Sequence, residues 1–144
     1  GHSGLWAGRN ARVIVDSSAL IAVLLGEPEA PEFIQVLARP ERKLMSAFSL
    51  LESAMVIESR KGPAGAKALA ELVATAAIDT VALDSAQAEV ALDAWRRFGK
   101  ERHPAGLNIG DCVSYALARV SNQALLFKCD GFPQTDIAEE IPGR

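Results

Sequence analysis

The sequence predicts an α/β fold in three layers, a mainly parallel sheet flanked by helices, and three observations point to it. The candidate strands are short, continuous apolar runs, the pattern of strands buried on both faces. Helical stretches separate them one by one, as crossovers between parallel strands require. The chain of 144 residues is long enough for one core, and its 49% hydrophobic and 23% charged residues are ordinary for a globular domain.

Residues 1–11, GHSGLWAGRNA, have neither the basic start nor the apolar stretch of a signal peptide. They are expected to be a tag remnant or a disordered N-terminal extension, which leaves 12–144 as a single domain. Arg12 to Val15 is an apolar run that closes on Asp16, and Ser17 to Leu25 reads as a helix. Glu27-Pro28-Glu29 breaks it, and Pro28 can start the next helix, which carries Phe33, Ile34 and Leu37. A weak strand follows around Leu44 and Met45. Ser46 is placed to cap a helix running to about Arg60. Lys61-Gly62-Pro63 is a breaker. Alanine-rich sequence from Ala64 to Ala77 comes next, then a strand over Thr80–Leu83 and a helix from about Ser85 to Lys100. The loop His103-Pro104-Ala105-Gly106 leads to Asn108, an N-cap for a helix over Ile109–Ser121. Ala124 to Phe127 is the last strand. No apolar run approaches the roughly 18–20 residues that cross a bilayer.

Cys112 and Cys129 are too few for a disulfide framework and lack metal-site spacing, which suits a reduced, cytoplasmic setting. A net charge of -3 argues against a broad basic surface that coats nucleic acid. It leaves room for an enzyme that grips a short stretch. Arg96, Arg97, Lys100, Arg102 and His103 form a local basic strip that is either such a grip or a solvated helix end.

Four acids are the candidate chemistry. Ligands of parallel sheets gather at the C-terminal ends of strands; Asp16 follows the first strand and Asp130, in LLFKCDGF, follows the last. Asp16 is equally a good N-cap, with Ser17 or Ser18 as substitutes if the carboxylate is needed elsewhere, and Asp130-Gly131 is a common turn pair. By helical spacing Phe48, Glu52, Met55 and Val56 share a face, so Glu52 interrupts an apolar stripe and calls for a partner, a proton or a metal. Glu58 in the same helix is a less pointed candidate. In the last helix Ile109, Cys112, Val113, Ala116, Leu117 and Val120 read as the buried stripe. Asp111 lies three residues after Asn108, where a capping-box role and a cleft-facing role are compatible. Asp136 is a weaker fifth acid. Clustered carboxylates suit Mg²⁺ or Mn²⁺, hard ions that prefer oxygen ligands.

Three segments, IVDSSALIAVLLGEPEA, SAFSLLESAMVIESRKG and RRFGKERHPAGLNIGDCVSYALA followed by LLFKCDGFPQTDI, together resemble the PIN-domain nucleases. Within them the likeness is to the VapC toxins of toxin–antitoxin modules, over nearly the whole chain after residue 11. The resemblance implies a PIN-like fold and a Mg²⁺- or Mn²⁺-dependent endoribonuclease that hydrolyses RNA phosphodiester bonds. It implies Asp16 and Asp111 as principal metal ligands, Glu52 and Asp130 as further or water-mediated ones, a cognate antitoxin partner, and a homodimer. One stretch departs from the family pattern KGDDF: here it reads Lys128-Cys129-Asp130-Gly131-Phe132. That departure motivates an alternative, a weakened PIN-like module that binds RNA or protein, and an RNA-processing nuclease without an antitoxin is a further one.

Overall fold

The computed structural model describes residues 12–128 and 131–140. Four strands, β1 (Arg12–Val15), β2 (Arg42–Ser46), β3 (Ile78–Val81) and β4 (Ala124–Leu126), form one sheet. Their spatial order is β3-β2-β1-β4 and every pairing is parallel. The helices are α1 (Ser17–Leu24), α2 (Ala30–Leu37), α3 (Ala47–Thr75), α4 (Ser85–Phe98) and α5 (Ile109–Ser121). The N-terminal segment read as a tag remnant or extension lies outside the described residues.

Strand side chains alternate between two cores because a strand's period is two. Val13, Val15, Met45, Ile78 and Leu126 face α1, α2 and α3 through Ala19, Leu20, Phe33, Val36 and Leu69. Ile14, Leu44 and Leu125 face the other way, onto Ala94 of α4 and Tyr115, Leu117 and Ala118 of α5. Both faces of the sheet are therefore covered, which is why Val13–Val15 of β1 and Ala124–Leu126 of β4 read as unbroken apolar runs. The exception is β3, where Asp79 and Thr80 are exposed on an edge strand.

Several sequence expectations shift. Helix α2 starts at Ala30 with Pro31 in its first turn, so Pro28 belongs to the preceding turn. The strand expected over Thr80–Leu83 is displaced to Ile78–Val81. The breaker at Lys61-Gly62-Pro63 kinks rather than ends its helix: Gly62 adopts φ 65°, ψ −157°, and helix resumes to Thr75. A left-handed φ with that ψ suits glycine alone. The stripe expected on α5 holds at Cys112, Val113, Ala116 and Leu117 and takes in Ser114 and Tyr115, whereas its two ends, Ile109 and Val120, are 70% and 50% exposed. Among the described residues no helix is long and apolar enough to cross a membrane.

Helix α3 ends at Thr75 with Ala76 as its C-cap, and Ala77 just beyond takes φ 54° with its amide donating to Ala74 O at 3.1 Å. A left-handed φ costs an L-residue about 1–2 kcal/mol, and glycine costs about 0.4–1 kcal/mol in the unfolded chain. Ala77→Gly should therefore gain about 0.5–1 kcal/mol, read as a higher urea midpoint at unchanged slope.

Candidate metal centre at the strand ends

The Asp16 amide donates to Leu126 O at 3.0 Å, so the β1–β4 ladder runs up to this residue and fixes it at the sheet's C-terminal edge. Its side chain is 3% exposed. Oδ2 accepts from the Ser18 amide at 3.0 Å and caps α1. The capping role thus stays with Asp16, and the two serines are used elsewhere: Ser17 Oγ donates to Glu52 Oε1 at 2.7 Å, and Ser18 Oγ accepts from the Lys128 amide at 2.8 Å.

Glu52 arrives from α3, which starts where β2 ends because Ser46 Oγ accepts from the Phe48 amide. The reason given for Glu52 from periodicity is overturned. Met55 is 65% exposed, and the buried face of this helix is Ser49, Ser53 and Ile57. Glu52 is half-buried at the margin of that face. Its carboxylate lies over the backbone of Gly110: a Cβ there would stand 2.6 Å from Oε2 and 2.8 Å from Oε1. A side chain at Gly110 would push the Glu52 carboxylate from this position. Glu58 is exposed.

Asn108 and Asp111 form a reciprocal capping box on α5, with the Asp111 amide donating to Asn108 Oδ1 at 2.9 Å and the Asn108 amide to Asp111 Oδ2 at 3.0 Å. Burial pushes the Asp111 carboxyl up from 3.8 to about 6; the Asn108 amide opposes this, and the charges of Asp16 and Glu52 add to it. Asp111 therefore feels both other acids. Among the described residues none of them is paired with a basic side chain.

Asp130 lies outside the described residues, as does Cys129. Its neighbours are placed: Lys128 Nζ pairs with Glu27 and, at 3.1 Å, with Glu29, tying this loop to the α1–α2 turn. A Cβ on Gly131 would meet Ala105 O at 2.5 Å. The glycine that departs from KGDDF thus has a steric reason, because a crossing loop occupies the space of a side chain. Among the described residues no three His, Cys, Asp or Glu side chains converge on one point. The donor chemistry nevertheless fits a hard divalent cation: carboxylates and hydroxyls line the edge, Cys112 is buried, and His103 Nδ1 is occupied by the Ala105 amide at 3.0 Å.

The side chains of the basic strip have different contacts. Arg97 pairs with Asp93 and with Asp136, at 3.1 Å for the second, and Asp136 also accepts from Tyr115. Both Arg97 and Asp136 are thus committed to holding the C-terminal segment against α4 and α5. Arg102 lies 4.4 Å over the Trp95 ring, and its Nε is 3.5 Å from Arg96 O. Lys100 lines an apolar recess of about 440 Å³ with Leu92, Trp95, Asn108 and Ile109, which runs toward the start of α5. Sequence reasoning named Ser17 only as a substitute cap and missed Ser49 and Ser114, because a serine on a buried helix face leaves no mark in hydropathy.

The PIN-domain family model matches residues 13–137. The chain is 48% identical over 126 residues to Ribonuclease VapC30 of Mycobacterium tuberculosis, covering 88% of this chain and 96% of that protein. It is equally 48% identical over 126 residues to Ribonuclease VapC of Mycolicibacterium smegmatis, covering 88% of this chain and 98% of that one. Among solved structures, VapC20 of Mycobacterium tuberculosis, described as a toxin that cleaves the sarcin–ricin loop, superposes with a TM-score of 0.74 at 20% identity, covering 90% of this chain and 99% of it. The VapBC2 complex of Rickettsia felis, bound to promoter DNA, does so with a TM-score of 0.70 at 10% identity, covering 90% and 97%. These two likenesses speak for the fold.

A raised carboxyl pKa means that the folded state holds its proton more tightly than the unfolded chain does. Its benefit is complete below about pH 4 and is lost as pH rises through about 6. In metal-free protein the unfolding free energy of wild type relative to Asp111→Asn should fall across that window. A difference that stays flat from pH 4 to 7 in chemical denaturation would show Asp111 to be solvated.

Proposed function

This chain belongs to the PIN-domain family, and from that premise we propose that Asp16, Glu52, Asp111 and Asp130 are the metal-binding acids of its ribonuclease centre. It is a VapC-type ribonuclease, the toxin of a toxin–antitoxin module, acting on RNA and paired with a cognate antitoxin. The observation that carries the site is that Asp111 at the start of α5 feels the charges of Asp16, which follows β1, and of Glu52 on α3, with no basic partner for the three among the described residues. Like charges so placed require a cation or a proton.

Asp16 and Asp111 would hold the ion directly, with Glu52 and Asp130 as further or water-mediated ligands. Oxygen donors alone favour Mg²⁺ or Mn²⁺. When bound, such an ion supplies an activated water and stabilises charge on the phosphodiester oxygens. The residues' own tasks can be separated. Asp16 is held immobile by two hydrogen bonds and so contributes a fixed oxygen. Asp111 is oriented by its capping box. Glu52, anchored through one oxygen by Ser17, keeps the other toward Gly110 and the start of α5. An RNA substrate supports a cytoplasmic setting for this work. Lys100, with Arg96 and Arg102, would meet the RNA backbone, while Arg97 serves the fold. Leu51, Met55 and Ile109 are exposed by 59%, 65% and 70%. A second copy of the chain is the occupant proposed for these exposed apolar side chains.

With Mg²⁺ or Mn²⁺ present, purified protein should cleave structured or single-stranded RNA and lose that activity on chelation. Asp16→Asn and Asp111→Asn should reduce it to background, and Glu52→Gln by roughly 10–100-fold. Cleavage that survives chelation and both Asp→Asn changes would refute the assignment. In the inactive Asp16→Asn protein, Lys100→Ala should weaken RNA binding and reduce the salt slope by about 1. An unchanged slope in filter-binding titrations would reduce the strip to solvated surface.

A further inference from the structure

We propose that Ser114 and Ser49 are positioning residues that form a directed hydroxyl chain onto Asp16 and thereby lock the three acid-bearing elements into one geometry. The inference rests on the reading of Asp16 as a metal ligand. Ser114 is 1% exposed and Ser49 is fully buried. Ser114 Oγ donates to Asp16 Oδ1 at 2.5 Å and lies 3.3 Å from Ser49 Oγ.

The direction of the chain follows from counting protons. A hydroxyl has one hydrogen to give, and an ionised carboxylate has none. Ser114 spends its hydrogen on Asp16, so in the contact between the two serines Ser49 must be the donor. The order is Ser49 to Ser114 to Asp16 Oδ1. Each donation polarises the next, and inside a buried site such a chain is stronger than its separate bonds.

The placement is what gives the chain a purpose. Ser114 stands one helical turn after Asp111 on α5, and Ser49 one turn before Glu52 on α3. Each helix that carries an acid therefore also sends a hydroxyl back toward the acid of β1. Residues three apart share a face, so the hydroxyl and the carboxylate of each helix are aimed together. Ser53 Oγ donates to Ser49 O at 2.8 Å, tying the next turn of α3 into the same cluster. Asp16 Oδ1 is then held by Ser114 and Oδ2 by the Ser18 amide, which leaves the carboxylate a single rotamer. Ligand-orienting partners of this kind typically change metal affinity by roughly 10–100-fold when removed.

The test is Mn²⁺ binding by wild type, Asp16→Asn, Ser114→Ala, Ser114→Cys and Ser49→Ala, measured by electron paramagnetic resonance. Thermal unfolding without metal accompanies it, with kcat and KM for RNA cleavage measured separately. Ser114→Ala should weaken Mn²⁺ binding roughly 10–100-fold and lower kcat with little change in KM. Ser114→Cys, a weaker donor of similar size, should fall between it and wild type. Ser49→Ala should cost less than Ser114→Ala, because the direct bond to Asp16 survives. If Ser114→Ala does not fold, the cysteine and Ser49→Ala variants decide by the same ordering. Folded variants that bind Mn²⁺ as wild type does, while Asp16→Asn does not, would overturn the hydroxyl chain alone. Wild type that neither binds Mn²⁺ nor cleaves RNA would overturn the metal-site reading and this inference with it.

Discussion

The structure turns on the burial of the Asp16 carboxylate at the end of a central strand. Removing a charge from water is costly unless hydrogen bonds or counter-charge replace what is lost. Neutral donors do so here, namely a helix amide and a serine hydroxyl. The parallel topology adds a favourable field. Helices α1 and α3 begin directly where β1 and β2 end, and α5 begins at the same edge, so three helix N-termini are turned toward the acids. Their exposed amides and dipoles favour negative charge by about 0.3–1 kcal/mol each at surface positions and more when partly buried. The fold can therefore bring carboxylates to this edge with no arginine or lysine among the described residues neutralising them.

The same edge explains why two roles that seem to compete at Asp16 and Asp111 coexist. A cap needs an oxygen facing the first amides of its helix, and a carboxylate has two oxygens with about four lone pairs. Asp16 caps with Oδ2 and has Oδ1 on Ser114; Asp111 caps with Oδ2 as well. Capping settles the rotamer and leaves acceptor capacity over. Structural and chemical uses of these residues reinforce each other, and the helix cap is part of what orients the acid.

How much of this was legible in the sequence depends on whether the signal was local. Val13-Ile14-Val15-Asp16 and the Asn108–Asp111 box carry their geometry in adjacent residues, and both could be placed before any coordinates. Glu52 was found by an argument that failed: the apolar residues beside it are partly exposed, and serines form the buried face. Hydropathy rewards large apolar side chains, whereas α3 approaches α5 closely through small ones. Arg97 was grouped with its basic neighbours because its partner Asp136 is 39 positions away. Gly131 read as a lost acid, yet its neighbour in space is Ala105, from a loop that no local pattern connects to it.

A parallel sheet of four strands leaves two edges, and an unpaired edge invites another chain to add a strand. Beyond β4 this protein uses its own C-terminal segment: the Leu125 amide donates to Ala138 O at 2.9 Å, the Glu140 amide to Leu125 O at 2.9 Å, and Glu140 is clamped by Arg39. The opposite edge, β3, presents Asp79 paired with Arg42 across to β2. One rim is thus covered by backbone and the other carries charge. A truncation before residue 138 would strip the first protection and expose the main chain beside the strand that leads to the acidic site. Such a protein would polymerise through its sheets, so residues 138–140 act as a built-in guard against edge-to-edge strand pairing.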